Sequence, residues 1–256
     1  MATIEVKNLS KKFLQSNKKY MINKVLNNIS FKIEEGEFVT IFGPNGCGKT
    51  TLLNIIAGIE KPTSGIALID NNFPKNSQIG FVFQNYNESM LPWRTAKGNI
   101  ELALELNNKI SNTEKRKIVE NLLRKVGLLE HKDKYFYELS GGMKQLIAIC
   151  RAFAYNPKIL VMDEPFSSLD YSTTRKMELE LLNIWKETKK TTLFVSHDID
   201  EAILLADKII ILSKRPATIK QIVTVDLPRP RNLEMLSSKK FFQIRNKILR
   251  LFENEK

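Results

Sequence analysis

Apolar positions along this chain of 256 residues follow two rhythms, and the change between them organises the sequence. In the first third the period is short. Thr3–Asn8 alternates apolar and polar residues, Glu37–Phe42 is an apolar run that stops at a glycine, and Gly65–Ile69 and Ile79–Phe83 are brief and β-rich. Alternation and short buried runs predict strands. Further on the period lengthens. Ser111 and Glu114 have the spacing of a capping box, and Ile118, Val119, Leu122, Leu123 and Val126 then recur at helical spacing. A second helix is predicted over Gly141–Tyr155, stopped by Asn156-Pro157.

Strands and helices then alternate. Strands are predicted at Ile159–Met162, Thr191–Val195, Ile209–Leu212 and Ile219–Val225, with helices over Thr173–Lys189 and Asp200–Ala206. That order predicts an α/β fold whose sheet is mostly parallel. Leu227–Arg231, reading Leu-Pro-Arg-Pro-Arg, is an extended linker. Phe241, Ile244, Ile248, Leu251 and Phe252 beyond it form the apolar face of a terminal helix with basic residues opposite. Such a face suits a membrane surface, but packing on its own domain is the commoner use.

Composition narrows the class. Lys and Arg total 40 against 28 Asp and Glu, a net charge of +12 with pI near 9.5. The bases are spread along the chain, which reads as a solvated surface rather than a nucleic-acid or lipid-binding block. No apolar run approaches the roughly 20 residues of a spanning helix, and the start lacks the apolar core of a secretory signal. Two cysteines, Cys47 and Cys150, cannot build a disulfide framework. The expectation is a reduced, cytosolic chain.

The sharpest chemistry is Gly43-Pro44-Asn45-Gly46-Cys47-Gly48-Lys49-Thr50-Thr51, a complete G-x-x-x-x-G-K-[ST] pattern. It follows the strand Glu37–Phe42 and opens a helix over Thr50–Ala57, the context a phosphate cradle requires. Glycines let successive N–H groups point at an anion, and the helix adds its positive end. Lys49 is expected on the β- and γ-phosphates and the Thr50 hydroxyl on Mg²⁺. Cys47 sits at the start of this helix, where thiols are reactive, so alkylation is expected to block ATP binding. Ile159–Glu164 is an apolar strand ending in two carboxylates. Asp163 is placed to hold Mg²⁺ and Glu164 to orient the attacking water. His197 ends another apolar strand and reaches the same crevice, whereas His131 reads as structural.

Leu139-Ser140-Gly141-Gly142-Met143-Lys144-Gln145 resembles the signature of ATP-binding cassette (ABC) ATPases, and the resemblance runs from Thr3 to about Val225. It implies a P-loop NTPase fold, with a RecA-like mostly parallel sheet, an antiparallel β subdomain and an inserted α-helical subdomain. The nucleotide-binding domain would span 1–225, its helical subdomain about 85–157, and a linker and terminal helix 226–256. Phe13 is then expected to stack on adenine, with a buried core phenylalanine as the alternative. Gln84 is implied to sense Mg²⁺ and the water and to contact a permease. Asp170, in Ser168-Leu169-Asp170, would couple two subunits. Ser140, Gly141, Gly142 and Met143 would cap the γ-phosphate held by the opposite copy of a homodimer, and ATP and Mg²⁺ are the implied cofactors.

Met90-Leu91-Pro92-Trp93-Arg94-Thr95, Ser213–Ala217 and the Leu-Pro-Arg-Pro tail resemble the nitrate/sulfonate/taurine branch of bacterial importer ATPases. The resemblance implies a motor on the cytoplasmic face of the inner membrane, with permease subunits and, indirectly, an extracytoplasmic binding protein. Its cargo would be a small anion or organic nutrient. An exposed Met90, Leu91 and Trp93 would offer a groove for a permease helix, with a core-facing Trp93 as the alternative. Met143 departs from the family's usual glutamine, and Leu146 stands where arginine is usual, which puts surface contacts of that helix in doubt. A cassette ATPase acting on nucleic acid or ribosomes is the runner-up, disfavoured because the long insertions of such proteins are missing. A P-loop kinase has no use for the signature, and an exporter half commonly carries a fused membrane span.

Overall fold

The computed structural model describes residues 2–14, 22–75, 78–86, 89–105 and 110–253. Two sheets frame it. In the first, β1 (Ile4–Leu14) pairs antiparallel with β2 (Ile22–Ile33) and with β4 (Ser64–Ile69). The second runs in the order β5 (Ile79–Val82), β6 (Ile159–Asp163), β7 (Thr191–Ser196), β3 (Phe38–Phe42), β8 (Lys208–Leu212) and β9 (Ile219–Thr224). All its neighbours are parallel except β9, which returns antiparallel beside β8. This is the α/β architecture, with a mostly parallel sheet beside an antiparallel one, that the sequence predicts.

The period of two along these strands decides which core each side chain joins. Phe38, Phe42, Leu160, Met162, Phe194, Ile209 and Ile211 face one core, shared with the helices α2 (Ala96–Glu105), α3 (Asn112–Lys125), α4 (Gly141–Ala154), α5 (Tyr171–Thr188) and α6 (Ile199–Leu205). Val39, Ile41, Ile159, Val161, Leu193, Val195 and Ile210 face the other, shared with the antiparallel sheet and α1 (Lys49–Ile56). Because β3, β6 and β7 are covered on both faces, their sequences read as continuous apolar runs instead of alternating ones.

Two elements escape the sequence reading. Register shifts against β1 and a positive φ at Asn28 (53°) break the alternation of β2, so its buried Leu26, Ile29, Phe31 and Ile33 fit no single period. Helix α2 carries Gly98 in its first turn, and although Thr95 caps it by accepting from Gly98 N–H at 3.2 Å, most of its stability is tertiary. Its fully buried Asn99 donates to the carbonyls of Leu91, Arg94 and Thr95 and accepts from Leu91 N–H, which ties the helix to the segment before it. The capping box of α3 forms as expected, Ser111 accepting from Glu114 N–H while Glu114 accepts from Ser111.

Two expectations about exposure are corrected. Met90 is only 4% exposed, so it cannot line an open groove, and Trp93, at 69%, is not a core residue. Leu146 is not on a surface either. Helix α4 lies between α2, α3 and the sheet and buries every residue from Gln145 to Ala154 except the half-buried Arg151, so a leucine at 146 packs where an arginine would need a partner.

The terminal helix α7 (Lys239–Glu253) spends its apolar face inside the molecule. Phe241 and Ile248 are buried, and the Phe252 ring lies 5.3 Å from that of Phe42. Arg245 Nε donates to Asp200 Oδ1 at 2.8 Å, joining α7 to α6. Phe241→Ala is therefore expected to destabilise by about 3–5 kcal/mol, while Phe242→Ala, at a half-exposed position, costs under about 1 kcal/mol. Urea denaturation of the two variants measures the contrast, and equal losses would mean that α7 is not docked by this face.

Candidate nucleotide site

Strand register assembles the site. Phe42 lies beside Ser196 and Ile211, and Asp163 beside Val195, so β3, β6, β7 and β8 end at one level. The next residues along each chain segment, Gly43, Glu164, His197 and Ser213, therefore emerge together at the carboxyl edge of the sheet. Gln84 follows two residues after β5. This is the crevice where open α/β sheets place ligands. A cavity of about 400 Å³ opens there, lined among others by Asn45, Gly46, Gly48, Lys49, Thr50, Thr51, Gln84, Glu164 and His197.

The cradle is set by left-handed backbone that favours glycine. Gly46 has φ 72° and Gly48, the N-cap of α1, has φ 117°. A Cβ on Gly48 would stand 2.6 Å from Val25 Cγ1, so close packing and conformation both exclude a side chain. Lys49 is buried, its Nζ donating to the carbonyls of Gly43 (3.0 Å) and Pro44 (3.2 Å). A lysine held by neutral carbonyls in a cavity beside a helix N-terminus is a strong anion ligand.

Glu164 is the hub of the crevice. Its carboxylate accepts from Gln84 Nε2 (3.3 Å) and from His197 Nδ1 (3.1 Å), and lies 3.8 Å from Lys49 Nζ. Its backbone is left-handed, φ 46°, a conformation that costs a non-glycine residue about 1–3 kcal/mol and that clusters at functional positions. Asp163, 2% exposed, lies beside the Thr50 side chain, whose hydroxyl favours the charged carboxylate. Burial pushes its carboxyl up from the usual range, and the neighbouring Glu164 adds to that. A hydroxyl and a carboxylate brought together at the mouth of a phosphate cradle are hard oxygen donors that fit Mg²⁺. Among the described residues no cluster of three or more acid, histidine or cysteine ligands forms a separate metal cage. Mg²⁺ completed by substrate phosphates needs none.

The signature residues stand elsewhere. Ser140 caps α4, accepting from Met143 N–H at 3.3 Å, and it and Gly141 are exposed. None of Ser140, Gly141, Gly142 and Met143 lines the cavity of the same chain. A Cβ on Gly142 would meet Leu169 at 2.7 Å, which locks the signature against the Ser168–Asp170 loop. Ser168 Oγ also donates to Gln145 Oε1. Asp170 caps α5, and the hydroxyls of Ser172 and Thr173 hold its carboxyl well below the ordinary value.

Other expected ligands are placed differently. Phe13 is neither core nor lining: it is 38% exposed on β1, paired with Asn23, two residues before the lining residue Val25. Gly43 and Pro44 do not line the cavity and supply the carbonyls that hold Lys49. The expectation of a reactive Cys47 is overturned. Its side chain is 1% exposed and packs in the apolar core from the loop before α1. Sequence reasoning missed Arg215, which lines the cavity from the turn between β8 and β9. Its place just beyond an apolar strand is the signal that could have found it.

A second cavity of about 200 Å³ adjoins the first, with Glu164 and His197 lining both. Arg175, Asp198 and Glu201 line its far side, and Arg175 Nη1 donates to both oxygens of the fully buried Glu178 at 2.8 Å. Several acids thus face one arginine. Burial drives Glu201 up to about 8, and Glu178 and Asp198 push the same way.

Residues 26–167 match the family model described as "ABC transporter". The chain is 43% identical over 254 residues, 98% of its length and 92% of the relative's, to an uncharacterized ABC transporter ATP-binding protein of Methanocaldococcus jannaschii. It is 40% identical over 230 residues, 88% of its length and 83% of the relative's, to the nitrate import ATP-binding protein NrtD of Synechococcus elongatus. Among solved structures, a dimeric bacterial ABC transporter cassette superposes with a TM-score of 0.78 at 34% identity, covering 88% of this chain and all of that one.

Two outcomes are expected. With both thiols buried, N-ethylmaleimide should leave ATP binding by the native protein within about twofold of untreated protein in an equilibrium assay. Nucleotide-protectable loss of binding would return Cys47 to the cavity. Glu201 binds a proton in the fold between its unfolded value of 4.5 and about 8. Stability is thus lost as pH rises through that window. Glu201→Gln should gain melting temperature over the parent at pH 8.5 and little at pH 5, on the order of 1 kcal/mol per pKa unit at most. A pH-independent difference would refute the buried proton.

Proposed function

The chain belongs to the ABC transporter family and hydrolyses ATP, and from that premise we propose that it is the motor of an importer, working as a homodimer beneath a separate membrane permease. The observation that carries the dimer is the separation just described. One chain holds its cradle at the carboxyl edge of the parallel sheet and its exposed Ser140–Gly141 helix start away from that cavity. A helix N-terminus with free N–H groups is a γ-phosphate cap in search of a phosphate. Two copies placed head to tail supply each other's cap, and ATP is then buried between them. Triphosphate favours the closed pair because only that state makes both sets of contacts, and hydrolysis removes the preference.

Within each site, Lys49 and the N–H groups of Gly46 to Thr51 bind the β- and γ-phosphates. Thr50 and Asp163 would hold Mg²⁺, which would supply neutralisation of phosphate charge. Glu164 orients a water for in-line attack and accepts its proton, while Gln84 and His197 hold that carboxylate in place. His197 also reaches the γ-phosphate as a donor. Phe13, exposed beside the Val25 wall, stacks on the base, and Asp170 stands at the seam between copies.

Cargo and partners come from the relatives. A nitrate import ATP-binding protein at 40% identity supports a small anion or organic nutrient as cargo, passing through permease subunits fed by an extracytoplasmic binding protein. No helix among the described residues is long and apolar enough to cross a membrane. Exposed Trp93, Tyr135 and Tyr137 form an aromatic surface on the helical layer, joined by the Phe136 N–H to Arg94 carbonyl bond of 3.1 Å. That surface takes a short permease helix, at the cytoplasmic face of the membrane.

Glu164→Gln keeps the hydrogen-bonding shape but cannot take a proton. With ATP and Mg²⁺ it should elute as a dimer in light-scattering chromatography, with turnover lowered at least about a hundredfold. A monomer at saturating ATP would exclude the two-copy site.

A further inference from the structure

We propose that a cavity at the amino edge of the parallel sheet, between the C-terminal end of α5 and the Arg229–Arg231 segment, binds a small oxyanion of the sulfate or phosphate class. The cavity measures about 120 Å³ and is lined by Asn183, Trp185, Lys186, Lys189, Arg229 and Arg231, with Leu182 and Pro230. It is far from the nucleotide crevice in the topology. Helix α5 ends at Thr188, just before β7 begins at Thr191, and Arg229 binds Asp207, just before β8. The cradle lies at the opposite ends of those strands.

Charge makes the case. Four cations line the cavity and no carboxylate does. Arg229 donates to Asp207 Oδ1 from Nε (2.9 Å) and Nη2 (2.6 Å), which settles one charge. Arg231 is 6% exposed and has carbonyl partners only, those of Ile203, Leu204, Ala206 and Val225. Its Nε–H has no acceptor among the described residues. Burial and the adjacent Arg229 push this guanidinium down to about 10, which leaves it charged at neutral pH.

Basic residues at helix ends ordinarily compensate the macrodipole, so that use must be counted first. The C-termini of α5 and α6 each supply roughly half a negative charge. Together with Asp207 they offset about two of the four cations, and about two remain. Neither Lys186 nor Lys189 pairs with a carboxylate among the described residues; Glu187 between them pairs with Lys125. Lys189 Nζ and Arg229 Cζ both lie over the buried Trp185 ring, 4.4 and 4.1 Å from its centroid. Like charges gathered around one ring repel, and an oxyanion in the cavity that they line relieves that repulsion while accepting from the lysines and the Asn183 amide, with the buried Arg231 charge adding attraction.

Trp185 reports occupancy directly. In a Trp93→Phe protein it is the single tryptophan, since the chain has 2. With the cradle filled by ADP, sulfate or inorganic phosphate is titrated to about 20 mM at constant ionic strength, set low because screening weakens a half-exposed site. A saturable change in Trp185 emission is expected with both anions and not with chloride. Lys186→Gln/Lys189→Gln should weaken it at least about tenfold with ADP binding unchanged, and Asn183→Asp, which adds a negative charge to the lining, should do the same. The proposal is overturned if emission shows no saturation, or if these variants titrate like their parent. Neither result bears on the importer reading, which rests on the other edge of the sheet.

Discussion

The parallel register of β6, β7 and β3 is the constraint on which the rest of the molecule depends. These strands end level, so three short connections begin at one place, carrying the phosphate cradle, the Asp163–Glu164 pair and His197. Slipping any one strand by a residue would exchange the side chains it gives to the two differently shaped cores and displace the candidate site residue that follows it by about 3.3 Å. Burial on both faces therefore enforces the register, and the chemistry inherits a precision that loops alone could not supply.

Electrostatics in the crevice follows from that geometry. Lys49 is buried and faces carbonyls, Asp163 is buried and faces a hydroxyl, and Glu164 joins the lysine, the glutamine and the histidine. Each group is partly satisfied by its neighbours and retains capacity for phosphate, metal or water. The strained backbone of Glu164 belongs to the same arrangement, because an extended residue there would follow the strand instead of turning across the strand ends. Behind it, the acids around Arg175 tie the histidine loop to α5 and α6, and their burial carries a pH-dependent cost to stability.

The second layer of control is which surfaces the helices leave open. Helix α4 is buried along its length and free only at its N-terminal cap, and α7 gives its apolar face to α6 and Phe42. Among what remains exposed are the capped start of α4 and the aromatic residues Trp93, Tyr135 and Tyr137, while the basic cavity opens at the far edge. Each is a place where the chain has unspent polar or aromatic capacity.

Local patterns carried most of the chemistry into the sequence. A glycine-rich turn between an apolar strand and a helix, and an apolar strand ending in Asp-Glu, specify their geometry by themselves, because backbone conformation and strand polarity are local properties. The capping box at Ser111 and Glu114 is local in the same way. What the sequence could not determine depended on partners distant along the chain. Strand β2 was hidden by bulges that exist only against β1, and α2 by an asparagine whose bonds close only in the fold. Whether Cys47 faced the phosphate or the core, whether Leu146 was surface or interior, and which of Met90 and Trp93 stood exposed were likewise settled by packing. A residue's type states what it can bind, but only the tertiary arrangement decides which atoms surround it.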